Sequence, residues 1–193
     1  MTDPHAATPA KTPLLLPDLS PPKAAPIRVY LACLAAYNNG HLHGRWMDAA
    51  MGEAHILEQT KATLKASTME EAEEWAIHDY EGFEGASLSE YASFETVAAL
   101  AEFIEEHATL GGELVSYYGG NLEDAQTRMA EYVGEYESLE DYARQYTEDC
   151  GTQIPESLEN YIDYAAMGRD MEINGGFISI ETAHDEIHIF GAG

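Results

Sequence analysis

The stretch from Glu131 to Cys150, EYVGEYESLEDYARQYTEDC, constrains the fold most, because it interleaves carboxylates and tyrosines so densely. Glu131, Glu135, Glu137, Glu140, Asp141, Glu148 and Asp149 are acidic, Arg144 is the only base, and Tyr132, Tyr136, Tyr142 and Tyr146 supply aromatic surface. A solvated loop has no use for the tyrosines. A core has no place for the carboxylates, since a desolvated charge without a partner is very costly. The stretch must therefore be a surface element whose aromatic face is held down and whose acidic face stays in water. Ser138 is placed to cap a helix with Asp141 at its third position, and Leu139, Tyr142, Ala143 and Tyr146 recur at helical spacing. Arg144 then reaches back to Glu140 as an i,i+4 partner.

The same imbalance pervades the chain. Asp plus Glu number 35 against 9 Lys plus Arg, a formal net charge of −26. Asp3 and Asp18 cancel Lys11 and Lys23, so the whole excess lies on residues 27–193. With 45% hydrophobic and 10% aromatic residues, the chain is too apolar for an acidic disordered protein. A folded unit carrying this charge repels itself, which calls for a compensating partner. Nucleic acid and anionic membrane are excluded as direct partners by sign, because their binding draws on Lys and Arg. A basic protein surface, a divalent metal or high salt remains. No run approaches the roughly 18 apolar residues of a membrane span. The N-terminus lacks a basic start followed by an apolar signal-length stretch, so a cytoplasmic protein is expected. Cys33 and Cys150 form no metal-type cluster; free thiols are the simpler reading, with a disulfide between them left open.

Residues 1–26 hold most of the prolines and read as a flexible, extended, disordered tail. Ile27 to Ala35 is a buried strand running into the Asn38-Asn39-Gly40 turn. His41 and His43 lack a third ligand at recognisable spacing, and no metal ligand is assigned. A helix over Ala49 to Ala66 with Ile56, Leu57, Thr60 and Leu64 inward precedes a strand over Trp75 to Tyr80. Gly82 to Gly85 reads as a flexible acidic loop. Ser87 to Glu90 reads as a capping box ahead of an amphipathic helix from Phe94 to His107, with a further helix between glycine pairs from Leu110 to Tyr118. Asn121 is expected to cap a helix from Leu122 to about Tyr132, and Pro155 to start another carrying Leu158, Tyr161 and Ile162. Asn174-Gly175-Gly176 is a turn, and Phe177 to Glu181 pairs with Ile187 to Phe190 as a hairpin. The fold class is α+β.

Carboxylate pairs abound, but nothing singles one out by burial or partner as a catalytic acid must be. There is no nucleophile elbow, phosphate-cradling glycine motif or metalloprotease helix, and the chain reads as a non-enzyme without cofactor. Calcium loops need alternating Asp or Asn ligands around a Gly, whereas these acids are mostly Glu on helices. Halophilic adaptation would spread the acids evenly and displace large aromatics. A surface imitating a nucleic-acid backbone fits better. Acids neighbouring on a helix face lie about 5 to 6 Å apart, and two paired chains would carry the charge of roughly 26 base pairs at DNA's density. The candidate partner-binding acids are Glu90, Glu95, Glu102, Glu105, Glu106, Glu123 and Asp124, together with those of the opening stretch.

Ile27 to Trp46 (IRVYLACLAAYNNGHLHGRW), Glu74 to Gly85 (EWAIHDYEGFEG), Gly134 to Tyr142 (GEYESLEDY) and Tyr161 to Gly175 (YIDYAAMGRDMEING) resemble, in order, stretches of the ArdA family of antirestriction proteins. The resemblance implies an elongated homodimer of three small domains per chain: 27–86 mixed α/β, 87–130 helical, and 131–193 with helices plus a β-hairpin. It implies a mimic of bent B-form DNA, carried by mobile elements, that occupies the DNA-binding groove of type I restriction-modification enzymes through their specificity and methyltransferase subunits. It also places Tyr132, Tyr136, Leu139 and Tyr142 near the dimer contact. A mimic aimed at a nucleoid protein or repressor is the other reading of the same charge.

Overall fold

The structure, a computed structural model, describes residues 25–191; the expectation for the proline-rich tail falls, but for Ala25 and Pro26, outside that range. The fold is α+β, with two three-stranded antiparallel sheets and helices packed between and beside them.

Strand β1 (Arg28–Cys33) is the centre of the first sheet, flanked by β2 (Gly44–Asp48) and β3 (Trp75–Glu81) in the order β2-β1-β3. Its β-branched and apolar run suits a strand covered on both faces, and Val29, Leu31, Ala32 and Cys33 are all buried. The sequence predicts a strand that runs straight into the turn. The structure instead inserts one short helix, α1 (Leu34–Asn38), before Gly40 closes the turn at φ 78°.

The helix expected from Ala49 starts late, because Gly52 at φ 86° separates a 3-10 turn (Ala49–Met51) from α2 (Glu53–Lys65). Helix α2 lays Ile56 and Thr60 on the sheet while Leu57 faces out. The buried Thr60 hydroxyl donates to the Ile56 carbonyl at 2.7 Å and is thereby satisfied. His43 likewise bonds the Thr63 carbonyl at 2.7 Å, a structural use for that histidine.

The loop after β3 is anchored rather than flexible, since Phe83 and Ala86 are buried. Ser87 to Glu90 starts no helix. The Glu90 carbonyl accepts from the Ile77 amide at 2.8 Å, which ties this segment to β3. The cap passes to Ser93, whose Oγ accepts from the Thr96 amide at 3.0 Å to open α3 (Phe94–Tyr117). Helix α3 is two helices joined at Ala108, which sits at φ 50°, ψ −137°, where the sequence separates its two segments. Gly111 and Gly112 are not the boundary but lie buried inside the second helix. A Cβ on Gly112 would fall 2.0 Å from the Glu84 carbonyl oxygen, so glycine lets the 82–86 loop lie directly on the helix.

Asn121 caps α4 (Leu122–Met129) by accepting from the Glu123 and Asp124 amides at 3.1 and 3.3 Å. The helix stops short of Tyr132 because that residue opens a strand, β4 (Tyr132–Tyr136). The C-terminal hairpin of β5 (Phe177–Ala183) and β6 (Glu186–Gly191) forms as expected. It gains β4 as an unexpected third strand, in the order β4-β6-β5. Between β4 and β5 lie α5 (Leu139–Asp149) and α6 (Tyr164–Ile173). Pro155 starts no regular helix: Leu158 and Tyr161 are exposed, and α6 is opened by Asp163, whose Oδ1 accepts from the Ala166 amide at 2.8 Å. The two helices touch through Gly168, where a Cβ would lie 2.4 Å from the Leu139 carbonyl oxygen.

One cluster of buried residues runs from β1 through Val97, Leu100, Ile104 and Leu114 of α3 to Ile180 and Phe190 of the second sheet. A smaller one joins Tyr142, Phe177 and Ile189. Cys33 is buried and Cys150 exposed, and both are free thiols, which closes the disulfide alternative.

Candidate functional site

Each acid that the sequence marks for partner binding is exposed, and no Asp or Glu among the described residues is buried. Along α3 the spacing Glu95, Glu102, Glu106 (i, i+7, i+11) keeps three carboxylates on one stripe over about 16 Å of axis. Glu105 lies a turn aside, and Glu53 at the start of α2 joins Glu95, Glu102 and Glu105 around one open groove. Glu123 and Asp124 occupy the first turn of α4, and Glu140 and Asp141 that of α5, where the helix dipole favours them. Glu148 and Asp149 occupy the last turn of α5, where it does not.

Little of this charge is neutralised. Among the described residues, carboxylates pair with arginine only at Arg28–Glu81 and Arg144–Glu140, the latter at 2.7 Å. Arg45 donates to Gln59, and Arg128 to the Tyr118 hydroxyl and the Gly191 carbonyl. The field of the remaining acids therefore extends into solvent.

The aromatic face of the opening stretch divides in two. Tyr142 is buried, its ring 5.1 Å from Tyr136 and 4.8 Å from Phe177. Tyr136 and Leu139 are half-buried, while Tyr132 and Val133 on the edge strand are exposed. Desolvation holds the Tyr132, Tyr136 and Tyr142 phenols above their ordinary value. Glu135 adds to this for Tyr132, and Asp149 for Tyr136.

The structure also assembles a cluster that the sequence reading does not foresee. Glu135 of β4 pairs with His188 of β6, and Glu186 lies two residues from His188 on the same face, so all three ligand-type groups converge within 4.8 Å of one another. The i,i+2 spacing of Glu186 and His188 is visible in the sequence. Glu135 joins them only through the unexpected third strand. Between α5 and α6, Tyr142, Tyr146, Met167 and Met171 line an open groove edged by Asp163 and Asp170.

These features define a class of acidic α+β protein whose exposed carboxylates mostly lack a basic partner among the described residues. The model of the ArdA antirestriction protein family matches residues 29–186, and the chain belongs to that family. The comparison with curated proteins returned no match. Family membership makes its function antirestriction, with restriction enzymes as the broad class of partner. No helix among the described residues is long and apolar enough to cross a membrane.

Proposed function

We propose that the protein acts by DNA mimicry. Its exposed acids take the place of phosphates in the DNA-binding groove of a type I restriction-modification enzyme, at the specificity and methyltransferase subunits, so that incoming mobile-element DNA escapes cleavage. The observation that carries this reading is the near absence of compensating bases around carboxylates set on rigid helices and strands. A groove built to hold phosphates already supplies the opposite field, which speeds encounter and makes binding salt-sensitive. The mimic works as a cytoplasmic homodimer. Tyr132 on the edge strand, with Tyr136 and Leu139 beside it, forms its contact, while Tyr142, expected there as well, is buried against Phe177 and supports the contact from beneath. Three segments, 27–86, 87–130 and 131–193, carry the acids along its length.

The test is competition with duplex DNA for a purified type I methyltransferase core, titrated against salt. The expected result is displacement of DNA that weakens steeply as salt rises. Simultaneous Glu102→Gln, Glu105→Gln and Glu106→Gln substitution should weaken competition and flatten its salt dependence, whereas any one of these changes should do little. A triple variant that competes as well as the parent at every salt concentration overturns mimicry. Capture of a nucleoid protein or repressor, with no displacement from the methyltransferase, redirects it.

A further inference from the structure

We propose that Glu135, Glu186 and His188 form a binding site for one divalent transition cation, zinc foremost. The inference is independent of the partner reading. Two carboxylates and one imidazole are a hard-to-borderline donor set of the kind that zinc, cobalt and manganese accept. His188 is 6% exposed, so its ring is fixed by packing, while the two carboxylates stand at the surface, open to an entering ion.

The backbone has a feature that brings this set together. Residues 132 and 135 of a regular strand would face opposite sides of the sheet. The pairing register shifts between Tyr132 and Gly134, so that Tyr132 sits opposite Phe190 while Glu135 sits opposite His188. This bulge turns both side chains toward the histidine, a known use of bulges. The Tyr132 hydroxyl meets His188 Nδ1 at 2.9 Å, which fixes the ring orientation and leaves Nε2 to face the carboxylates. An oriented imidazole whose far nitrogen is held by a second group is the usual arrangement around a bound metal.

The Nε2 side is otherwise surrounded by acceptors. The Thr182 hydroxyl lies 3.0 Å away but donates its one proton to Glu186 Oε1 at 2.5 Å, and Glu186 Oε1 itself lies 3.4 Å from Nε2. With Glu135 beside them, these oxygens and Nε2 offer one ion a shared donor set. Ligand atoms on one zinc are at most about 4 Å apart, so the 4.8 Å envelope has to contract slightly on binding, with the exposed Glu135 the freest of the three to move. The chain's negative field raises the local concentration of divalent cations around it.

The experiment is calorimetric titration of the full chain with Zn2+ and with Co2+ in high salt, which screens diffuse attraction to the other acids. It is paired with Co2+ visible absorption and 15N spectra of the His188 ring. One ion per chain is expected, with cobalt ligand-field bands and a shift at His188 Nε2. Glu135→Gln, at an exposed position, and Glu186→Gln, which keeps an acceptor for the Thr182 hydroxyl, should each lower affinity by more than about 10-fold, the low end for lost outer-shell partners. Tyr132→Phe should lower it by about 10-fold, and Glu58→Gln, on α2, should leave it unchanged. Binding of several ions per chain with equal affinity in all four variants, or His188 ring signals that ignore the metal, would overturn the site.

Discussion

In the first sheet the central strand β1 buries Val29, Leu31, Ala32 and Cys33, whereas in the second the central strand β6 buries His188 beside Ile189 and Phe190. The edges differ as well. β2 and β3 are covered by α2 and the anchored 82–93 segment, while β4 leaves Tyr132 and Val133 in solvent. The first sheet is held mainly by apolar burial. The second relies on tyrosines whose rings pack and whose phenols are partly desolvated, while the carboxylates beside them stay exposed. A surface crowded with like charge thus rests on side chains that tolerate a wet boundary.

The largest effect should come from the residue that joins the two regions. Phe190 is fully buried, lies in the cluster that reaches back through α3, and packs with its ring 5.3 Å from that of Tyr132 at a tilt of 57°. Phe190→Ala should cost about 3 to 5 kcal/mol, and Leu31→Ala in the first sheet about 2 to 5 kcal/mol. Urea unfolding of each variant checks both. If the regions share one core, either change lowers the midpoint of a single transition. Two separate transitions, each moved by one variant only, would mean that the sheets unfold independently.

A smaller, pH-dependent effect separates the regions by chemistry. Burial raises the folded-state pKa of Tyr132, Tyr136 and Tyr142 above the unfolded value of about 10. The folded state therefore holds these protons more tightly. Their contribution is complete below that unfolded value and disappears as pH rises through the higher folded ones. Ultraviolet titration of phenolate should show a late-ionising group of tyrosines. Phe substitution at Tyr136 and Tyr142 should remove part of that group, and loss of the second sheet should begin as it ionises.

What could be read from the sequence follows the same division. β1, β3, α5 and the β5–β6 hairpin are legible because their periodicity and caps agree: Ser138 Oγ accepts from the Asp141 amide at 3.1 Å, as the capping pattern requires. Ser87 to Glu90 misleads because a capping pattern describes only what a helix start would need, and here the Glu90 carbonyl is taken by Ile77. Strand β4 is hidden by its own composition. YVGEY alternates only weakly, its glycine lies next to the bulge, and an edge strand needs one covered face at most. The acids were legible one by one as surface groups. The meeting of Glu135 with Glu186 and His188 was not, since it depends on a pairing between residues far apart in the chain.

The smallest expected effect bears most directly on why the second region is built as it is. Glu148 and Asp149 end α5, where the exposed carbonyls carry partial negative charge, and neither has a basic partner among the described residues. Replacing them together by Gln and Asn should raise stability by about 0.3 to 1 kcal/mol per charge at low salt, and by less as salt screens the dipole. Thermal unfolding at two salt concentrations measures this. The same double variant should compete less well with DNA for the methyltransferase core. A gain in stability together with a loss in competition would mean that these acids are kept against the helix's own preference because a partner needs them. Equal competition by the double variant would leave their position unexplained by binding and confine the mimicking surface to α3, α4 and the start of α5.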